Sequence, residues 1–289
     1  MSNTLYTNAQ QGQLRRLLPD LIRARQLLFD LIWKDIRIRY RYAVIGFAWA
    51  VLEPLFMMLV LTFVFSFVFK LDFGRLGSDA GHGFNAVFIL TGLLAWQFLA
   101  TSLTAATSSL VDNEDLVTKV GFPREVIPLS TIGVATVNLA IGGVLLLALY
   151  ALFVGSFPGM GLAWLLVVFA IQLALVVGLG LVCSTFNAYF RDVSYMVNAV
   201  LLFGFYATPI FYEPSLVREV LSDQGLSWLT TVYYANPMVG LITSYRTILF
   251  EGGTPAVSVL WWPVVSSIAI FLFGAVTFRR HSPTIADEL

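Results

Sequence analysis

Long apolar stretches constrain this chain more than any other feature of its sequence. A helix rises about 1.5 Å per residue, so about 20 apolar residues are needed to cross roughly 30 Å of bilayer hydrocarbon. The stretches that come close to or exceed that length are 44–69, 84–110, 127–154, 162–186, 194–211 and 257–278. The sequence therefore predicts an all-α integral membrane protein with six transmembrane helices, in a domain spanning residues 44–289.

Composition supports this fold class. Charged residues make up only 12% of the 289 residues, against roughly a quarter in an ordinary soluble domain, and hydrophobic residues make up 58%. These values exclude a secreted globular domain, a disordered chain and a soluble enzyme. The formal net charge is zero, so there is no global basic signature for nucleic acid, and Cys183 has no second cysteine for a disulfide within the chain.

The segment between the fifth and sixth spans is apolar but broken. Asn236-Pro237 interrupts residues 226–250, and the ten residues before the break rise only about 15 Å as a helix. Non-helical backbone at membrane depth survives only where protein shields it or where it lines a cavity. We expect two short helices that re-enter the membrane or lie at its surface, within an extracytoplasmic gate segment over 213–255.

The distribution of Lys and Arg predicts the orientation. With six spans, thirteen of these 17 residues fall on the side of the two termini and four on the other side. Positive residues favour the cytoplasmic side, so both termini are predicted to be cytoplasmic. A seventh span through 226–250 would weaken this bias.

Residues 1–43 form a basic segment before the first span. Leucines between 14 and 28 recur at helical spacing among arginines, which predicts an amphipathic helix on the inner leaflet. Arg37, Arg39 and Arg41 then alternate with apolar or aromatic residues beside the membrane. Two interpretations stay open: a topology anchor, or a platform for a cytoplasmic partner or an anionic lipid-linked substrate.

The sequence contains no motif that supports an enzyme. It lacks the phosphate-binding loop Gly-x-x-x-x-Gly-Lys-[Ser/Thr], the His-Glu-x-x-His zinc motif and any cysteine pair. His82 and His281 are predicted on opposite sides of the membrane, which argues against a His-based catalytic set. We predict no catalytic residues and no metal site.

Two sets of polar or small residues lie inside the predicted spans. A charge at the centre of a membrane helix costs about 2.5–3.5 kcal/mol. Glu53 therefore either faces a pathway, or it is neutral or paired at a contact between helices. Small and hydroxyl residues elsewhere are expected to let helices pack closely. These are Thr101, Thr104, Ser108, Gly142, Gly143, Gly178 and Gly180.

The loop over residues 112–128 mixes charge with an apolar face. Leu116, Val117 and Phe122 are spaced for one side of a short helix, which Pro123 then interrupts. A solvated loop and a docking site for a soluble partner are equally compatible with this spacing.

Short motifs follow one another along the chain at 33–41, 46–49, 52–55, 113–130, 187, 191–193, 207–212, 236–238, 245–246, 249–250, 278–280 and 286–287. Together they resemble the type-2 ABC export permeases that move polysaccharides, especially the O-antigen and teichoic-acid exporters. The resemblance extends from about residue 31 to the C-terminus.

The resemblance implies a half-transporter in the bacterial cytoplasmic membrane. Two copies of this chain would form the pore, and two copies of a separate ATPase would bind ATP and Mg, so this chain would carry no cofactor itself. The cargo would be an undecaprenyl-pyrophosphate-linked glycan, most simply O-antigen. The alternatives are export of teichoic acid or of a small lipid or drug, and less favoured, a membrane-embedded glycan transferase.

The resemblance also implies roles for named residues. The ATPase-coupling set is Asn113, Leu116, Lys119, Phe122, Pro123, Arg124 and Glu125. The set at the lipid headgroup is Arg37, Arg39 and Arg41. The candidates for the channel or gate are Glu53, Trp96, Tyr206, Tyr212, Tyr233, Tyr234, Asn236 and Pro237.

Overall fold

The computed structural model describes residues 24–41, 46–68, 82–119, 123–155 and 161–288, and the regular elements in these ranges are all helical. Two π-helical turns, Phe63–Val68 and Thr247–Glu251, continue α2 and α10. The predicted all-α class is confirmed. The helices are α1 Arg25–Arg41, α2 Trp49–Thr62, α3 His82–Asp112, α4 Glu114–Lys119, α5 Val126–Phe153, α6 Leu162–Tyr189, α7 Val193–Ala207, α8 Pro214–Asp223, α9 Ser227–Ala235, α10 Pro237–Arg246 and α11 Val257–Glu288.

Within the described ranges, five helical segments are long and apolar enough to cross a membrane. They correspond to α2 with its π turn, α3, α5, α6 and α11, and they make this chain a multi-pass membrane protein. α7 is apolar but has only 15 residues and rises about 22 Å. It ends at Ala207, four residues before the predicted end of the fifth span. Thr208 is extended, as expected for a residue that precedes a proline.

Helix α3 forms the centre of the bundle. Within its most apolar window 83% of the residues are buried, compared with 22% for α2, which lies at the periphery. Val87, Ile89 and Leu90 are fully buried between α3 and its neighbours. The main core therefore surrounds α3, and α2 presents most of its surface outward.

Helices α6 and α11 meet at their backbones. A Cβ atom added at Gly178 would lie 2.6 Å from the backbone carbonyl carbon of Ile270, and Gly274 faces Gly178 across the same contact. Only hydrogen in place of a side chain permits this approach, as is common between membrane helices. The structure thus places Gly178 in helix packing, whereas Gly143 has open space around its Cα.

The amphipathic helix predicted before α1 begins outside the described residues, which start at residue 24. α1 itself packs on α5 through Ile32, whose side chain contacts Gly133. Phe29 and Trp33 on its other face are exposed.

Helix α11 extends ten residues past the predicted end of the last span. The extension is anchored by Ile285, which is fully buried in a small core with Leu110, Val117 and Phe278. This second core joins the ends of α3, α6 and α11 to α4.

Candidate functional site

Helix α3 exposes one narrow polar stripe, although most of its surface is buried. Gln97, Thr101, Thr104, Ser108 and Asp112 follow one another at spacings of three and four residues and therefore share a face. Within this chain Thr101, Thr104 and Asp112 are exposed, and the other two are half-buried. Polar residues in a transmembrane helix usually face a bundle interior or a watery cavity. The stripe is therefore a candidate wall of a transport path.

Helix α7 borders the stripe on one side. The Thr104 hydroxyl donates to the side-chain oxygen of Asn198 on α7 over 3.3 Å. Tyr195, Phe203 and Tyr206 on α7 are each more than 60% exposed. The chain thus leaves a large aromatic surface uncovered beside the polar stripe.

Helix α2 borders the stripe on the other side and leaves a cavity. The cavity has a volume of about 660 Å³ and lies between α2, α3 and α5. Trp49, Glu53, Gln97, Thr101 and Asn138 contribute to its lining. Glu53 is exposed there, as required if its carboxylate faces a pathway, and has no hydrogen bond or ion pair to another described residue.

The predicted channel residue Trp96 lies inside the protein. Its side chain is 7% exposed, and its ring centroid is 6.4 Å from that of Phe205 on α7. A Cβ atom at Gly204 would come within 2.6 Å of the indole ring. Trp96 therefore fills the contact between α3 and α7, whereas Tyr206 is exposed.

One end of the bundle, which the predicted orientation makes the outer end, is organised around Arg246, at the end of α10. Its guanidinium donates to the carbonyl oxygens of Ile210 at 2.6 Å and Tyr212 at 3.1 Å, and lies 3.5 Å from the ring centroid of Phe88. The side chain is 6% exposed and forms no ion pair with a described carboxylate. Gly92 on α3 leaves the space that this arrangement occupies. Arg246 thus satisfies the backbone of the non-helical segment that follows α7.

Asn236 and Pro237 form the break that the sequence predicted between α9 and α10. The Asn236 side-chain oxygen accepts from the backbone N–H of Met238 at 3.0 Å, which caps α10, and Pro237 takes the first helical position. The Asn236 amide donates to the Thr208 hydroxyl at 3.0 Å. The break is therefore fixed to the same segment that Arg246 holds.

The gate tyrosines lie around this segment. Tyr212 donates from its hydroxyl to the carbonyl of Tyr206 at 3.2 Å. The rings of Tyr233 and Tyr234 on α9 are 5.2 Å apart and nearly perpendicular, and the Arg218 guanidinium lies 5.4 Å from the centre of the Tyr234 ring. The structure thus brings the four tyrosines to the outer end, near Asn236.

At the opposite end, which the predicted orientation makes the inner end, Arg124 and Glu125 contact the extension of α11. Arg124 donates to the backbone carbonyl of Ser282. The Glu125 carboxylate lies 3.5 Å from Nε of Arg279, and each of these two side chains is 12% exposed. Pro123 is half-buried beside them. Two residues predicted to couple to an ATPase therefore tie the coupling segment to the C-terminal extension of the same chain.

The apolar face of α4 also packs within the chain. Val117 is 2% exposed and Leu116 packs against the small inner core. The helix begins after Asn113, whose backbone carbonyl accepts hydrogen bonds from the N–H groups of Leu116 at 2.9 Å and Val117 at 3.1 Å. The side chain of Lys119 and the whole of Phe122 lie outside the described part. The side chains of α4 that remain exposed are Glu114, Asp115 and Thr118.

The basic residues of α1 share an exposed face. Arg37 and Arg41 are one helical turn apart and both are exposed. The guanidinium carbon of Arg37 lies 5.1 Å from the centre of the Trp33 ring. The side chain of Arg39 lies outside the described residues.

Sequence reasoning missed Gln97 and Asn138 as parts of the site. Both are uncharged amides within apolar helices, and neither forms a recognisable motif. The spacing of Gln97 from Thr101 and Thr104 could have revealed the stripe, but Asn138 joins it only through the packing of α5 on α3.

Comparison with known proteins agrees with this architecture. The model of the ABC-2 type transporter family matches residues 26–250, which is most of the chain. The chain belongs to the ABC-2 type transporter family. This membership confirms the resemblance found in the sequence.

Three curated relatives of this ABC-2 transporter cover nearly its whole length. The O-antigen export system permease protein RfbA of Myxococcus xanthus is 29% identical over 274 residues, covering 95% of this chain and 99% of the relative. Two proteins of the same name from Klebsiella pneumoniae are 28% and 27% identical, covering 87% and 91% of this chain and 94% and 96% of the relatives. All three relatives are named as permease proteins of O-antigen export systems.

Proposed function

We propose that this ABC-2 protein is the transmembrane permease of an ATP-driven exporter that moves lipid-linked O-antigen across the bacterial cytoplasmic membrane. The observation that carries the proposal is collinearity with O-antigen permeases, because the match covers 99% of the Myxococcus xanthus relative rather than one shared motif. The cargo is an undecaprenyl-pyrophosphate-linked glycan.

The fifth span is α7 together with the non-helical segment after it. α7 alone rises about 22 Å, which is too short for the hydrocarbon core. Residues 208–212 follow as a bent segment, in which the Ile210 N–H donates to the Thr208 carbonyl at 2.7 Å, and we assign the rest of the crossing to this segment. Such backbone requires internal partners in a membrane, and Arg246 supplies them to two of its carbonyls.

Helices α9 and α10 re-enter the membrane from the outer side. Arg246 contacts Phe88 and Gly92, which lie within about 15 Å of Gln97, the midpoint of α3. The end of α10 is thereby at the depth of the hydrocarbon. With six spans and one re-entrant pair, both termini of the chain are cytoplasmic.

Two copies of the chain form the pore. The exposed faces of α2 and α7 flank the polar stripe of α3, so a second copy against these faces encloses the stripe. Hydroxyl and amide groups along the stripe then meet the hydroxyl groups of the moving polysaccharide, while aromatic rings accept the apolar faces of the sugars.

Two ATPase subunits bind the inner end and supply ATP and Mg. The exposed Glu114 and Thr118 of α4 and the exposed end of α1 offer the contact surface. The tie from Arg124 and Glu125 to the α11 extension passes movement of that surface to the bundle.

Deletion of the gene tests the function. We expect lipid-linked O-antigen to accumulate inside the cell and surface O-antigen to disappear, and the purified protein to carry an ATPase subunit with it. Normal surface O-antigen in the deletion strain contradicts the proposal.

Cysteine accessibility tests the path. In a Cys183→Ser background, Thr101→Cys and Thr104→Cys are expected to react with a charged, water-soluble methanethiosulfonate, because the stripe faces water. Thr107→Cys is the matched control, since Thr107 is 1% exposed on the buried side of the same helix. Equal labelling at all three positions contradicts a water-filled path along the stripe.

A further inference from the structure

The cavity beside α2 combines size, polarity and aromatic surface. Its volume of about 660 Å³ lies within the usual range of small-molecule sites. Gln97 and Asn138 lie near the midpoints of α3 and α5, so the cavity reaches the middle of the membrane. Glu53 lies four residues into α2 and faces the same space.

Two polar groups in this cavity are available to a ligand. Among the described residues, neither the Glu53 carboxylate nor the Gln97 side-chain amide has a hydrogen-bonding partner. An unpaired amide near the midpoint of α3 is costly, and the exposed Glu53 carboxylate opens onto the same space, so a hydrogen-bonding ligand or water fills it. The carboxylate requires donors, and the amide offers both a donor and an acceptor.

Aromatic rings lie next to these polar groups. Trp49, Phe56 and Phe98 line the cavity, and the first two are about half exposed. Flat apolar rings beside a carboxylate and an amide match a sugar, which has hydroxyl groups at its edge and C–H groups on its faces. The negative charge of Glu53 repels a phosphate, so the chemistry favours the glycan over the pyrophosphate of the same substrate.

The second cavity shows the contrast. It has a volume of about 360 Å³ between α3, α5, α6 and α10, and it is lined mainly by apolar residues such as Val144 and Leu166. Its one amide, Gln172, already donates to the carbonyl of Ala95 at 2.7 Å and accepts from the Tyr245 hydroxyl at 2.9 Å. That cavity suits a hydrocarbon chain, because the side chains of Gln172 and Tyr245 already hydrogen-bond within the protein.

We propose that the cavity between α2, α3 and α5 is a sugar-binding subsite, in which Glu53 and Gln97 hydrogen-bond glycan hydroxyl groups against Trp49. The proposal rests on the proposed function and assigns this part of the path to the polysaccharide rather than to its lipid carrier. It accounts for an acidic residue in the first span, where a phosphate-binding site would require a cation.

Binding of the free polysaccharide tests the subsite. The probe is fluorescently labelled O-polysaccharide, cleaved from its lipid and added to the purified permease–ATPase complex. Glu53→Gln and Gln97→Leu are expected to raise the dissociation constant about tenfold each, as for loss of a hydrogen bond to a charged group or of a buried amide contact. Glu251→Gln, an exposed acid at the outer end, is the matched control and leaves the constant unchanged.

The outcomes separate the two proposals. If the wild-type complex exports O-antigen but both cavity variants bind the polysaccharide as tightly as the control, the subsite is wrong and the function stands. If the variants lose a labelled phospholipid instead of the polysaccharide, the cavity is a lipid site. If the wild-type complex neither binds nor exports O-polysaccharide, both proposals fail. A thermal unfolding midpoint equal to that of the wild type shows that each variant is folded.

Discussion

The two ends of the bundle are each organised by an arginine, but in different ways. At the outer end Arg246 is 6% exposed and donates to backbone carbonyls of the segment after α7. At the inner end Arg279 is partly exposed and pairs with the Glu125 carboxylate at 3.5 Å. One arginine holds backbone, and the other holds a side chain.

This difference separates a fixed end from an end that can change partners. At the membrane depth proposed for this segment, water does not replace a lost donor, so releasing Arg246 leaves the carbonyls of Ile210 and Tyr212 unpaired. The Glu125–Arg279 pair joins two side chains, each 12% exposed, and a charged group of a partner protein can replace either member. We therefore expect the outer end to determine whether the chain folds and the inner end to determine how it responds to its ATPase.

The largest expected effect is at the fixed end. Arg246→Met keeps the length of the side chain but removes hydrogen bonds to Ile210 and Tyr212, which costs about 3 kcal/mol or more of unfolding free energy. The thermal unfolding midpoint in detergent should fall and export should be lost. Arg218→Met is the matched control, because Arg218 is exposed and lies against the Tyr234 side chain. Equal stability of the two variants contradicts a structural role for Arg246.

The next effect concerns the helix pair that connects the two ends. Gly178→Ala places a methyl group 2.6 Å from the backbone of Ile270, so α6 and α11 must separate, at a cost of about 1–3 kcal/mol. Gly143→Ala adds the same methyl group where nothing lies within 4 Å, and a gain of up to about 1 kcal/mol in helix propensity is expected. Unfolding midpoints of the two variants should therefore move in opposite directions, and a shared direction refutes the close contact.

The clearest effect on coupling belongs to the inner pair. Glu125→Arg or Arg279→Glu alone leaves two like charges where each side chain is 12% exposed, so it is expected to cost about 1–3 kcal/mol, between the values for exposed and buried pairs, and to weaken the stimulation of the ATPase. The double exchange should restore both. Arg280→Glu is the matched control, since Arg280 is exposed next to Arg279. If the double exchange is no better than the singles, the pair does not act as a tie.

Much of the bundle could be predicted from local sequence pattern. The predicted stretches 84–110, 127–154 and 162–186 agree with α3, α5 and α6 to within a few residues, because a long apolar run has no alternative in a membrane. The break at Asn236-Pro237 followed from the chemistry of proline, and α9 and α10 end and begin there.

Long-range contacts could not be predicted from the sequence. The last span was expected to end at residue 278, but α11 continues because Ile285 finds a pocket beside Val117 on α4. Trp96 is an aromatic residue of the kind that could line a channel. Its burial follows from the close packing of Gly204 on α7 against its indole ring, which no local pattern indicates. The partners of Arg124 and Arg246 are 158 and 36 residues away, so no local pattern indicates them.

Transport by purified components tests the central claim most directly. The permease and the ATPase that co-purifies with it are reconstituted in proteoliposomes, and the transfer of undecaprenyl-linked O-antigen across the bilayer is measured with and without ATP. The account predicts transfer that requires ATP, the ATPase and this chain together. Failure of the assembled complex to move O-antigen while it hydrolyses ATP and moves another lipid would contradict it.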